Sequence, residues 1–186
     1  MNPIWIGLGV LILIPLIYIV IVYNRLISLS NLIRNAWSNI DTELKRRYDL
    51  IPNLVETVKG YAAHEKEVLE RVTEARANAV ASTGSPASQA RDENELVHAL
   101  RQMFSVVEGY PQLKANQNFL ALQQELINTE NRIQAARRFY NGNVKDLNSL
   151  IGQVPSNLVA NVANFKPAEF FEIGVVEMRQ PAGVKF

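Results

Sequence analysis

The chain has 186 residues, with 19 Lys and Arg against 18 Asp and Glu, a formal charge of +1, and no Cys. This near-neutral balance gives no global field of the kind that gathers nucleic acid or a strongly acidic partner, and the missing Cys excludes disulfides, thiolate catalysis and Cys-ligated metals. The length accommodates one domain with a sizeable core beside one short segment, and not two such domains.

From Pro3 to Tyr23 there is no charged side chain. Those 21 residues, at ~1.5 Å rise each, make about 32 Å of helix, the thickness of a hydrocarbon core. Trp5, Tyr18 and Tyr23 stand towards the ends, where amphipathic rings favour the headgroup level, and Pro15 lies inside, as lipid-embedded helices tolerate. Residues 1–24 carry no Lys or Arg, and Tyr23, Asn24 and Arg25 are not the small residues of a cleavage site, so the expectation is an uncleaved single-pass anchor. Arg25, Arg34, Lys45, Arg46 and Arg47 follow the span while its N-terminal side is uncharged. The positive-inside rule then favours an inner-membrane protein with the N-terminus outside and the body in the cytoplasm.

Leu26, Leu29, Ile33, Trp37, Ile40 and Leu44 recur every 3 or 4 residues, one apolar helix face that follows the span with no Gly or Pro between. Trp37 reads as a core anchor. Pro52 has no N–H for Tyr48 and disfavours helix at Ile51, which predicts a kink or break, with Asp49 capping the helix that resumes. That helix carries Leu54, Val58, Tyr61, Val68, Val72, Ala75 and Ala79 inward, with Glu67 and Arg71 as an i,i+4 pair. The Lys45-Arg46-Arg47 triplet is a phosphate or headgroup site, a solvated helix end, or a set of cations that pair with acids of a neighbouring helix. Arg46, Arg47 and Asp49 are the candidate charge cluster at the Pro52 kink, with Asn53 in the same block.

Ser82-Thr83-Gly84-Ser85 reads as a reversal, with Ser85 and Pro86 as N-cap and first helical position. A third helix puts Leu96, Val97, Leu100, Met103, Phe104 and Val107 on one face and closes at Gly109-Tyr110-Pro111. A fourth, longer helix carries Phe119, Leu122, Leu126, Ile133, Ala136, Tyr140, Val144, Leu147 and Ile151, interrupted where Thr129 stands beside Glu130 and Asn131. The interruption suggests a buried polar layer, and Glu130, Asn131 and Arg137 are candidates for an internal network. Gly152 and Pro155 end this helix, and Ser156 is the expected cap of a short one bearing Leu158, Val159 and Val162.

Beyond Lys166-Pro167 the tail is too apolar to be a solvated end: Phe170, Phe171, Ile173, Val175, Val176, Val184 and Phe186 predict docking on the bundle, the membrane or a neighbouring subunit. No stretch of the body alternates with period 2. The expected fold is all-α, a transmembrane helix continuing into an antiparallel bundle of three to four long helices with an irregular C-terminal tail. The expected divisions are an anchor over 1–24, a bundle over 25–165 and the tail over 166–186.

Taken together, these tracts resemble the LemA family. The resemblance rests on Tyr23-Asn24-Arg25-Leu26, on Ala36-Trp37-Ser38-Asn39-Ile40-Asp41, and on Leu44 to Val55 with its specific centre Arg46-Arg47-Tyr48-Asp49-Leu50-Ile51-Pro52-Asn53-Leu54. It continues through Val58-Lys59-Gly60-Tyr61, His64-Glu65, Ala75-Arg76-Ala77, Tyr110-Pro111, Leu113-Lys114-Ala115-Asn116 and Glu130-Asn131. Ala136-Arg137-Arg138, Tyr140-Asn141, Pro155-Ser156-Asn157, Phe165-Lys166-Pro167 and Phe170-Phe171 extend it over almost the whole chain. The departures are Leu147-Asn148, where the family often has Tyr-Asn, and Val154, where it often has Phe; both touch packing. The resemblance implies a bacterial single-pass membrane protein with a helical-bundle domain and carries no catalytic residues. Members are often encoded near membrane metalloproteases, which implies such a partner by association.

The best enzyme motif is Glu95-Leu96-Val97-His98, since Glu-x-x-His on a bundle helix presents a carboxylate and an imidazole on one face. A dinuclear site needs the motif twice, and the other histidine, His64, follows Tyr61 at that spacing. Hydrolase elbows and Gly-rich phosphate loops do not occur. The expectation is therefore no enzyme, no cofactor, no nucleic acid and no small-molecule substrate. The chain reads as a membrane-tethered scaffold or adaptor for another membrane protein, or alternatively as a self-assembling homo-oligomer that organises the membrane.

Overall fold

The computed structural model describes residues 3–174, with side chains from Leu11 onward. Its elements are α1 (Pro3–Lys59), α2 (Lys66–Ala81), α3 (Pro86–Val107), α4 (Pro111–Lys114), α5 (Gln117–Gly152) and α6 (Ser156–Val162), with no strand among the described residues. The fold is all-α, as the periodicity predicts. The calls on Trp5, Val175, Val176, Val184 and Phe186 lie outside the described side chains.

Pro52 does not break α1, which is helical through Lys59. The carbonyl that Pro52 leaves without a donor is that of Tyr48, and it accepts from Arg76 Nε of α2 at 2.7 Å. A tertiary donor thus replaces the missing helical one, and the residue that should stop the helix is tolerated inside it. Asp49 is accordingly an exposed helix-interior residue and not a cap. The real break comes at Gly60–Glu65, because beyond Ala62 the positions that should continue the apolar face are Glu65 and Lys66.

By contacts the chain forms two compact units, residues 1–37 with 139–170 and residues 38–138 with 171–186. In the larger unit the second part of α1, α2, α3 and the first part of α5 enclose a core of Ile51, Leu54, Val58, Val72, Leu96, Leu100, Met103, Phe119 and Leu126. Short connections make successive helices antiparallel neighbours. Arg47 meets Glu130, while Tyr61 just past α1 meets Asn116 just before α5, so a step forward along α1 goes with an equal step back along α5. Ser85 caps α3 by accepting from Ser88 N at 3.4 Å, with Pro86 behind it, as expected. The predicted fourth helix is preceded by the short α4, and Asn116 Oδ1 caps α5 by accepting from Phe119 N at 3.0 Å.

In the smaller unit Leu11 to Ile21 are exposed without interruption, and burial begins at Val22. Val22, Leu26 and Leu29 form a core with Leu147 and Ala160, against which Leu32, Ile33, Val159 and Phe165 pack. Trp37 is half-buried, with its ring 5.4 Å from that of Tyr140 and tilted at 57° to it. Ser156 is the first residue of α6 and not its cap, because its hydroxyl donates to the carbonyls of Leu150 at 2.7 Å and Gln153 at 3.0 Å. Leu158 and Val162 point outward, while Ala160 and Val159 face the core.

Candidate functional site

The most concentrated buried chemistry is where α1, α3 and α5 of the larger unit meet. On α1 the inward register Ile40, Leu44, Arg47, Ile51 places a guanidinium where an aliphatic belongs, and Arg47 is fully buried. Likewise Glu93 stands in the register of Ala90 and Leu96 on α3, and Glu130 in that of Leu126 and Ile133 on α5. Arg47 Nη1 donates to Glu130 Oε1 at 2.9 Å, and Nη2 donates to Glu93 Oε2. Tyr48 donates its hydroxyl to Glu93 Oε1. Burial pushes the Tyr48 phenol above its usual value of 10.0, with Arg47 pulling the other way.

Residues 47 and 48 are therefore bonded to three other helices: Arg47 to α3 and α5, and the Tyr48 carbonyl to α2 through Arg76. The guanidinium fork suits this role, since one planar group can meet two carboxylates with separate N–H bonds. A buried pair of this type is costly to break from one side, by about 3–5 kcal/mol, because the partner charge is left without compensation. Arg47 Nε and Thr129 Oγ1 are buried with no hydrogen-bond partner among the described residues, so the layer is polar beyond its ion pairs.

The structure separates several residues that the sequence grouped. Arg46 is exposed and reaches Glu43 at 3.7 Å, Asp49, Pro52 and Asn53 are exposed, and only Arg47 of the cluster turns inward. Glu130 joins Arg47, but Asn131 is exposed and Arg137 donates to the carbonyl of Ile173, so these three make no common network. Phe171 is fully buried while Phe170 is 41% exposed. Glu93, Tyr48 and Arg76 were not among the sequence candidates. The signal that finds Glu93 and Arg76 is a charged residue in an inward register, as at Leu69, Val72, Arg76, Ala79 on α2.

The described part of the tail, residues 166–174, docks on helices of its own chain. In the smaller unit, Asn148 clamps Ala168 in both directions, accepting from its N at 2.8 Å and donating to its O at 2.9 Å, and Tyr140 donates to the Glu169 carbonyl at 2.9 Å. Burial and the nearby Glu169 carboxylate raise the Tyr140 phenol. In the larger unit Asn94 does the same for the last described residues, accepting from Gly174 N at 2.6 Å and donating to the Glu172 carbonyl at 3.2 Å. Both halves of the Glu95-x-x-His98 motif are exposed, and no group of three metal-ligating side chains forms among the described residues.

The sequence model described as LemA family matches residues 36–186, which takes in Arg47, Glu93, Glu130 and the docked tail. The chain belongs to the LemA family. Its LemA-family relatives include Protein LemA of Metamycoplasma hominis, 31% identical over 82% of this chain and 72% of that protein. Magnetosome protein MamQ 2 of Paramagnetospirillum magneticum is 26% identical over 87% of this chain, and Magnetosome protein MamQ of Magnetospirillum gryphiswaldense is 23% identical over the same share. The chain spans 66% of the length of these two magnetosome proteins. In this LemA-family chain, α1 is long and apolar enough to cross a membrane, consistent with membrane anchoring.

Proposed function

We propose that this chain is a non-enzymatic scaffold or adaptor of LemA type, anchored in the inner membrane by the first part of α1, whose helical body engages another membrane protein. The observation that carries the reading is the uninterrupted α1: eleven consecutive apolar residues, Leu11–Ile21, are exposed, and the same helix then turns its face into a packed core from Val22. An exposed apolar run of that length suits lipid and not water. The buried ionic groups support a structural role, since Arg47 pairs with both Glu93 and Glu130 and ties α1 to α3 and α5. The positive-inside rule, through Arg25 and Arg34, favours the N-terminus outside and the body in the cytoplasm.

The test is extraction of the full-length protein from its own membrane in a mild detergent, followed by gel filtration with light scattering and mass spectrometry of the peak. Co-elution of a second membrane protein in fixed ratio, a membrane metalloprotease among the candidates, supports the adaptor. A large homogeneous peak of this chain alone replaces it with the self-assembling homo-oligomer, and a lone monomer at every concentration refutes both.

A further inference from the structure

The unexplained surface of the smaller unit is the outer side of α6 and the turn before it. Val154, Leu158 and Val162 are 81%, 64% and 90% exposed, three branched aliphatic residues at successive spacings of four. Their position relative to α1 is fixed within the unit. Ala160, on the opposite side of α6, is fully buried in one cluster with Val22 and Leu26, and the Phe165 ring meets the edge of Tyr23 at 6.2 Å and 74°. So α6 covers α1 in the first two turns after the exposed apolar run ends, which is about 5–10 Å along the axis. The polar layer of one leaflet has that thickness.

The charge of the unit fits a membrane surface as well. Within residues 1–37 and 139–170 the cations are Arg25, Arg34, Lys145 and Lys166, against Asp146 and Glu169, and there is no acid from Leu147 to Ala168 or before Asp41. The amide side chains here, Asn157 and Asn161 on α6 and Asn164 just after it, carry no charge that would resist entry into the headgroup layer.

We propose that α6 and the turn before it lie on the membrane surface, with the Val154, Leu158 and Val162 side chains entering the headgroup–acyl boundary of the leaflet from which α1 emerges and Arg25 and Lys166 near its lipid phosphates. This rests on the reading of α1 as the anchor. The lipid bilayer is the occupant because the stripe stands at the height of the span's end and because the surrounding surface is cationic. A stripe of aliphatic side chains held there resists tilting of the anchor and ties the body to the membrane at a second element.

The chain has no Cys, so single-cysteine variants of the full-length protein can be labelled with an environment-sensitive fluorophore at one site each. Leu158→Cys and Val162→Cys replace exposed side chains and leave the core intact. They are compared in phosphatidylcholine–phosphatidylglycerol vesicles with Ile17→Cys in the apolar run and Val80→Cys on the exposed side of α2, 52% exposed. The expected result is blue-shifted emission at Leu158→Cys and Val162→Cys, quenched about twofold or more by lipids with a nitroxide near the headgroup and less by lipids carrying it near the chain end. Ile17→Cys should show the reverse preference, and Val80→Cys should not be quenched. If the α6 sites behave like Val80→Cys while Ile17→Cys is quenched, the proposal is overturned and the anchor stands. If Ile17→Cys is itself unquenched, the anchor reading falls and the proposal with it. Blue-shifted α6 sites that no lipid nitroxide quenches would mean that protein covers the stripe, which also overturns it.

Discussion

Substitution Arg47→Met keeps most of the side-chain volume but leaves Glu93 and Glu130, both nearly inaccessible, facing each other with no cation between them. The loss is the charge-assisted bond at 2.9 Å to Glu130, its counterpart to Glu93, and the compensation of two buried carboxylates. Breaking a buried pair from one side costs about 3–5 kcal/mol. For a body of this size each kcal/mol moves the melting midpoint by about 2–4 °C, so a fall of roughly 6–20 °C is expected. The assay is thermal unfolding of the full-length protein in detergent, followed by circular dichroism at 222 nm, with the anchor's helicity as a constant baseline. The triple variant Arg47→Met, Glu93→Leu, Glu130→Leu removes all three charges at similar volume and is expected to recover most of the loss, since buried ionic groups seldom outperform a well-packed apolar layer. Arg47→Lys should fall between, because an ammonium lacks the fork that serves two carboxylates at once. A midpoint for Arg47→Met within about 2 °C of the parent would refute the account, because an uncompensated buried pair cannot be that cheap. A triple variant no better than the single one would show that the loss is one of packing and not of charge.

Three further outcomes follow from named contacts. Arg76→Met should cost about 1–3 kcal/mol by stranding the Tyr48 carbonyl, and much less in a Pro52→Ala background where residue 52 supplies its own N–H; unfolding midpoints of the four-member cycle read the coupling. The Tyr48 phenol is raised from 10.0 by burial, so the folded state holds that proton more tightly than the unfolded one. Its contribution is complete below pH 10 and lost as the pH rises through the folded value, and a stability–pH profile of Tyr48→Phe should be flatter on that alkaline side than the parent's. Asn148→Ala removes both bonds to Ala168, and cleavage by a nonspecific protease around residues 166–170 should accelerate several-fold while the helices remain resistant, as mass spectrometry of the fragments would register.

The helices were legible because their inward faces keep one period: Leu26, Leu29, Ile40 and Leu44 on α1, and Phe119, Leu126, Ile133, Tyr140 and Val144 on α5, are buried as that period requires. The break allowed for at Pro52 does not occur, because a backbone rule is local while its remedy, the Arg76 donor, comes from another helix. The site was half legible. Thr129 and Glu130 announced a polar layer, but the cation that pairs with Glu130 was hidden among neighbours of the same charge, and the Lys45-Arg46-Arg47 triplet does not reveal which cation turns inward. Counting the register from Ile40 and Leu44 to Ile51 does, and the same count singles out Glu93. The side of α6 that turns inward was not legible: on a helix of under two turns periodicity cannot tell the buried side from the exposed one, and small Ala160 makes the close contact with α1 while Leu158 and Val162 face outward.

The way the two units divide the chain also sets an order of assembly. Residues 38–138 form an excursion, in sequence, inside a unit whose two parts lie on either side of it. During synthesis α1 leaves the ribosome first, yet Val22, Leu26 and Leu29 must wait for Leu147 and Ala160, more than a hundred residues later, before their core can close. The excursion can meanwhile collapse on its own contacts, Arg47 included. Until the last helix arrives, the segment just beyond the apolar run keeps an uncovered aliphatic face, exposed apolar surface of the kind that makes folding intermediates prone to aggregate.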